Sequence, residues 1–290
     1  MRNTSSLKTC IVFLLLLVSV SCVSISRKRV VPEEQRLLPA KSATRAELFD
    51  ALLERSKEVQ TLQGTMTLDL TGGGAKSGVL TEYHQTRGIL LVDRPRHLRM
   101  KVQAPVVLTT LVDMVSDGRQ YRVSIPIKNQ FFVGDVNAPG ISKTALANLR
   151  PQHLLDGLFV DIRPYLNNPK IARLLEETVE GRRSYYVFSF INASNPEAQL
   201  VEKVWIDRTD MNISRKQLFG KDGAIETDVQ YSDYKSEGGG PFPQLIVLQR
   251  PAEDYTVKMT FMKTTLNEKL NEDAFNLERP QGSELVQLAK

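Results

Sequence analysis

The stretch VLTEYHQTRGILLVDRPRHLRMKVQAPVVLTTLVDMVSDGRQYRVSIPIKNQFFV, Val79–Val133, reads as one β-strand after another with almost no helical periodicity. Within it, HLRMKVQ (His97–Gln103) alternates polar and apolar residues one by one, and YRVSI (Tyr121–Ile125) does the same. Period-two alternation collects the apolar side chains on one face, so each segment predicts a strand with one dry side. Asp93-Arg94-Pro95 and Ser116-Asp117-Gly118 supply turn chemistry between strands. Such a meander hides its apolar face only if the sheet curls on itself or another element covers it.

Working outward, the chain offers both strands and covers. Ser42 or Thr44 caps a helix in which Leu48, Leu52, Leu53 and Val59 recur at helical spacing, with Glu47 placed to close a capping box on Thr44. Residues 64–71 alternate Met66, Leu68 and Leu70 with polar neighbours and end at Gly72-Gly73-Gly74. The pattern changes over 142–166, where Leu146, Leu149, Leu154, Leu155, Leu158 and Phe159 predict a short apolar helix broken at Pro151. Ile171, Leu174 and Leu175 predict a further short helix over 169–177. Strands resume at 185–191, 203–207, 213–219, 224–231, 245–249 and 255–262. With no regular alternation of strand and helix, the expected fold is one mainly β domain with helices (α+β). It is a strongly curved antiparallel sheet of about eleven strands wrapped around short helices.

At the start of the chain, Arg2 and Lys8 precede the apolar run Ile11–Val20, which ends in Ser21-Cys22. About ten apolar residues fall short of the roughly 20 that a hydrocarbon core requires, so the run predicts a secretory signal segment. Ser21-Cys22 resembles a bacterial lipobox, in which the cysteine becomes a lipid-modified N-terminus. Ser19 departs from the leucine preferred there, and Ser19 with Ser21 also satisfies the small-x-small rule for ordinary cleavage, which would leave a soluble periplasmic protein. Val23, where an inner-membrane address would place Asp, implies the outer membrane. The expected organisation is residues 1–21 as signal peptide, 22–41 as lipidated N-terminus and flexible tether, and 42–290 as a single domain. Once Cys10 leaves with the signal, one cysteine remains and no internal disulfide can form.

Net charge is +5, and loss of the two cations Arg2 and Lys8 reduces it to +3. Cations are interspersed with acids rather than gathered beside aromatic residues, which argues against nucleic acid. The one tight cluster, Arg27-Lys28-Arg29, lies near the anchor, where it serves as a solvated tether or touches anionic headgroups. His84, His97 and His153 fit no metal spacing and read as surface or strand histidines. Asp113 and Asp117 do not make a catalytic pair, because Asp117 is already the turn residue before Gly118. No nucleophile elbow or phosphate-cradling glycine loop is present, so the chain reads as a non-enzyme without a cofactor.

Gly88-Ile89-Leu90-Leu91-Val92-Asp93-Arg94-Pro95, Leu98-Arg99, Pro105 and Val115-Ser116-Asp117-Gly118 resemble the bacterial lipoprotein carriers and receptors LolA and LolB. Val204-Trp205-Ile206-Asp207, Asp222-Gly223, Asn267, Phe275 and Pro280-Gln281-Gly282 extend the resemblance over 42–286. It implies a half-barrel whose helical insertion either lids the concave mouth or completes the core. Met66, Leu68, Leu98 and Met100 would line the cavity from the walls, and Leu146, Leu149, Leu154, Leu155 and Leu158 from the lid. Arg94 matches the carrier arginine that holds the lid by bonds to lid backbone, or is an exposed strand-end arginine. After Pro105, Val107 and Leu108 form a membrane-contact loop or begin the next buried strand. The expected function is to bind acyl chains of lipoproteins or lipids and to take part in lipoprotein transfer at the periplasmic face of the outer membrane, with a periplasmic carrier as partner and a monomeric state. The alternatives are a lipid-sensing signalling lipoprotein that binds a regulatory protein, and a scaffold whose core is full.

Overall fold

A computed structural model describes residues 29–73, 80–136, 149–194, 196–236 and 240–287. The chain divides into two units, residues 1–36 and 37–290. In the first, the described residues form a short exposed 3-10 turn, Glu33–Gln35, beside which the Arg36 guanidinium donates to the Val31 carbonyl at 2.8 Å.

The second unit is built on one sheet of 14 strands. Its first half comprises β1 (Thr61–Gly73), β2 (Leu80–Asp93), β3 (His97–Gln103), β4 (Thr110–Ser116), β5 (Gln120–Ile125) and β6 (Gln130–Asp135). Its second half comprises β7 (Ile171–Glu180), β8 (Arg183–Asn192), β9 (Gln199–Asp207), β10 (Ile213–Phe219), β11 (Ile225–Ser236), β12 (Pro241–Arg250) and β13 (Tyr255–Leu266), followed by β14 (Glu284–Gln287). The spatial order is β14-β6-β5-β4-β3-β2-β1-β13-β12-β11-β10-β9-β8-β7, so β1 and β13 form the seam and, among the described residues, β14 and β7 are the two free edges. Every pairing is antiparallel except that of β14 with β6. Leu62, Met66, Leu68 and Leu70 of β1 are buried on one face, as alternation requires. Register shifts at Thr65/Met66 against β13 and at Leu68/Leu70 against β2 are bulges, which bend a strand, and they sit at the seam where an open sheet must curl.

Among the described residues two α-helices accompany the sheet, α1 (Arg45–Glu58) and α2 (Pro151–Leu158). The capping box forms as expected: Glu47 N donates to Thr44 Oγ1 at 3.3 Å and Thr44 N donates to Glu47 Oε2 at 2.7 Å. Leu48 and Leu52 of α1 are buried in the core they share with the concave face. The stretch read as tether is tied down near its end, since Leu38 N donates to Arg182 O and Lys41 N to Arg208 O.

Three expectations change. The sheet has 14 strands rather than about eleven. Residues 169–177 are not helical: β7 pairs with β8 over all ten of its residues. Ile171, Leu174 and Leu175 fit helical spacing, but Ile171, Leu175 and Val179 fit period two as well, and pairing alongside buried Phe188 and Phe190 decides between them. Pro151 does not break a helix but opens one, at the position where its missing N–H costs nothing.

Candidate functional site

The concave face is a wall of apolar side chains roofed by α2, which lies against β3, β4, β11 and β12. Met66, Leu68, Leu98 and Met100 are fully enclosed there, together with Leu149, Leu154, Leu155 and Leu158 from the roof. Leu146 and Cys22 lie outside the described residues. Gly157 marks the closest approach, because a Cβ at this position would stand 2.2 Å from Leu248 Cδ1.

Polar contacts hold this roof in place. Lys216 Nζ donates to the carbonyls of Asp156 (2.7 Å) and Phe159 (3.0 Å), putting a cation at the C-terminal end of α2, where unsatisfied carbonyls concentrate negative charge. Tyr231 Oη donates to Gly157 O at 2.9 Å, and His153 Nδ1 lies 2.8 Å from Tyr255 Oη. Burial, with Arg250 beside it, drives the His153 pKa down to about 3, so the ring is neutral. His153 is therefore neither a surface nor a strand histidine, whereas His84 and His97 lie on β2 and β3.

Arg94 locks the outgoing chain. Its guanidinium donates to Ser56 O (2.8 Å) and Val59 O (3.0 Å) at the end of α1 and to Asp161 Oδ2 (2.6 Å), and it stacks on Phe159 at 4.9 Å. With its side chain only 7% exposed, the reading as an exposed arginine fails. The reading as a lid-holding residue changes in detail: the backbone it binds belongs to α1, and the roof is reached through the Asp161 carboxylate. Burial pushes the Asp161 pKa up, but hydrogen bonds from Arg163 and the charge of Arg94 outweigh it and hold the group ionised. Ser56 Oγ completes the lock by accepting from Ile162 N at 3.1 Å.

Beneath the roof lies a carboxylate that sequence reading did not single out. Glu202 is buried, accepts from Tyr165 Oη at 2.8 Å through Oε2, and has no hydrogen-bond partner on Oε1 among the described residues. Burial raises its pKa, and that of Asp156, against the lowering pull of Lys216. By contrast, Asp113 is a structural partner, bound by both ends of the Arg99 fork at 3.0 and 2.8 Å, and Asp117 accepts from the amides of Arg119 and Gln120 as a turn residue does.

A cavity of about 260 Å³ opens between α1 and the β9–β10 hairpin, lined by Leu48, Leu52, Ile206, Met211 and Ile213, with Arg55 and Glu47 at its border. The turns at one end of the sheet also carry unburied apolar side chains. Between β3 and β4, Val106 is 89%, Val107 72% and Leu108 47% exposed, so these residues do not begin a buried strand. Gln103 Nε2 holds Leu108 O at 3.0 Å and Ala104 N donates to Thr109 O, closing the loop outward. The β5–β6 turn projects from the same end and carries Ile127, 80% exposed, which sequence reading missed. Its signal was an apolar residue in the turn Pro126-Ile127-Lys128-Asn129. Among the described residues no cluster of three or more His, Cys, Asp or Glu could hold a metal, and no helix is long and apolar enough to cross a membrane.

These features define a class: an open, strongly curved antiparallel sheet whose apolar hollow is covered by short, polar-latched helices. No protein-family profile and no curated protein matches the chain. Solved structures do. A DUF1329 family protein from Desulfovibrio piger ATCC 29098 superposes at a TM-score of 0.52 with 11% identity, covering 80% of this chain and 96% of that one. A LolA superfamily protein from Nitrosomonas europaea gives 0.49 at 10% identity over 81% and 99% of the two chains. A domain described as an outer membrane lipoprotein-sorting protein, from Vibrio parahaemolyticus, gives 0.49 at 12% identity over 79% and 95%. The likeness to the Desulfovibrio piger protein is one of fold, and at 11% identity ligand and partner must be argued from this chain's own residues.

Proposed function

We propose that this protein binds the acyl chains of lipoproteins or lipids beneath α1 and α2, and transfers them at the periplasmic face of the outer membrane, to which a lipidated Cys22 tethers it. The observation that carries the reading is the roof. An apolar hollow is covered by a short helix fastened through individual hydrogen bonds and an ion pair, contacts that can be released together to uncover an apolar wall. The 260 Å³ cavity exceeds the roughly 150 Å³ of an apolar cavity that accepts benzene, yet falls below the roughly 300–1,000 Å³ typical of pockets for whole ligands. A chain end fits the closed form, and a full acyl chain requires the roof to move. Each buried methylene contributes about 0.8 kcal/mol, so exchange between apolar sites runs without nucleotide, metal or other cofactor.

The exposed turn residues Val106, Val107, Leu108 and Ile127, with Lys128 beside them, fit the docking step, in which the sheet end touches a membrane while cargo moves from a periplasmic carrier. No catalytic constellation is called for.

Native mass spectrometry of the Cys22→Ala chain, purified without detergent, tests the proposal. Lipid adducts are expected, and Ala51→Trp, at the cavity border, is expected to reduce them. A lipid-free protein that also takes up no fluorescent fatty acid would overturn it.

A further inference from the structure

The two free edges of the sheet are unlike. One is β14, four residues long, whereas the other is β7, ten residues long, with no proline and no register shift along its pairing with β8. A long, flat, unpaired strand is the kind of edge that proteins shorten, bulge or cover unless it pairs with something. From this edge we infer a symmetric dimer in which β7 pairs antiparallel with β7 of a second copy, centred on Leu175.

The hydrogen-bonding pattern comes first. Ala193 N donates to Lys170 O, which makes residues 170 and 193 a mutually bonded pair, so the even-numbered residues of β7 turn their amides toward β8. Arg173, Leu175, Glu177 and Val179 therefore direct theirs outward, while the Ile171 amide is already taken up by Asn168 O at 3.0 Å. The Arg173 carbonyl, which accepts from Arg45 Nη2 at 2.7 Å, points that way as required. A carbonyl has two lone pairs, so this contact and a strand partner can coexist.

Register decides the rest. Because outward groups occur at every second residue, a twofold axis relating two β7 strands must pass through a residue. Centring on Arg173 sets Arg173 against itself, and centring on Glu176 or Glu177 sets glutamate against glutamate. Centring on Leu174 puts Ile171 against Glu177 and Arg173 against Leu175. Centring on Leu175 gives the most favourable set of rungs: Arg173 faces Glu177, Ile171 faces Val179, Lys170 faces Glu180, Ala172 faces Thr178 and Leu175 meets its own copy, against one unfavourable rung, Leu174 facing Glu176. Opposite charges and apolar pairs across a ladder are favourable, and like charges are unfavourable. The twofold doubles each contact, as an isologous interface does. This departs from the monomer expected of the sequence.

The test uses the full chain in non-ionic detergent, followed by sedimentation equilibrium. A two-chain mass is expected. Lys170→Glu and Glu180→Lys, which touch no intrachain salt bridge among the described residues, should each weaken association by about tenfold, and the double exchange should restore it. Leu175→Cys should cross-link to itself on mild oxidation, because bonded antiparallel partners have Cα atoms about 5.5 Å apart, within disulfide reach. Glu176→Cys, one step out of register, should not. A single-chain mass at every concentration, a dimer indifferent to both charge reversals, or cross-linking of Glu176→Cys without cross-linking of Leu175→Cys would overturn the inference.

Discussion

Arg94 is the residue on which α1, the strand end of β2 and the chain leaving α2 converge. Its substitution by leucine would strand two buried carbonyls and remove one cation from Asp161, an expected loss of roughly 2–4 kcal/mol in urea unfolding. An unaltered midpoint would mean that the lock is idle. His153 makes a second prediction, which concerns acid. Its folded pKa of about 3 lies below the ordinary value near 6.5, so the fold prefers the neutral ring. That preference is fully expressed above pH 6.5 and is lost as pH falls toward 3, amounting to roughly 2 kcal/mol by pH 5. Arg250 and Arg150 reinforce the shift and Glu253 opposes it. Thermal melts should therefore show a larger drop from pH 7 to pH 5 in the native protein than in His153→Gln, and equal drops would remove His153 from the account. The His153 role was not legible in the sequence, and for Arg94 only the family resemblance offered a lid-holding role, without the partners it binds. Asp93-Arg94-Pro95 looked like a turn, and the partners Ser56, Val59 and Asp161 are distant in sequence, so only folding brings them together. Glu202 and Lys216 were hidden for a related reason: on an alternating strand each looks like a polar neighbour, and burial under α2 is what changes their chemistry.

Among the elements, those written in local pattern were the readable ones. The capping box of α1 needs only Thr44 and Glu47, and β1 needs only the alternation of Met66, Leu68 and Leu70, so both formed as expected. β7 was misread because its apolar spacing satisfies two periods, and the strand that chooses between them, β8, comes later in the chain. The four-residue β14 gave no signal because its pairing with β6 is remote and parallel. The loop between β3 and β4 lay open to two readings, and its exposure separates them in a testable way. Leu108→Glu should change stability by no more than about 0.5 kcal/mol, the range for exposed sites, while reducing binding to vesicles of outer-membrane lipid. Ile127→Glu should act in the same direction, since the β5–β6 turn projects from the same end of the sheet. A melting temperature well below the native value for Leu108→Glu would return this residue to the core and end its proposed membrane role.

Across the whole molecule, stability should be divided unevenly between seam and roof. β1 is paired on both sides along nearly its full length and faces the largest apolar cluster, so its amides should exchange only on global unfolding, at roughly 5–15 kcal/mol. α2 has only eight residues, too few to be stable alone, and depends on Lys216, Tyr231, His153 and the Arg94–Asp161 pair to stay seated. It should open locally at a much lower cost, taking residues 156–162 with it. Lys216→Met isolates this motion, because it leaves the carbonyls of Asp156 and Phe159 unsatisfied at about 1–3 kcal/mol while sparing the seam. Hydrogen exchange read by mass spectrometry should then quicken at 154–162 and leave peptides from β1 and β13 unchanged. If the roof gates an apolar hollow, the same variant should take up a fluorescent fatty acid faster than the native protein. Uniform acceleration across α2, β1 and β13 would show instead that roof and sheet unfold as one body, and a gating role for α2 would not survive it.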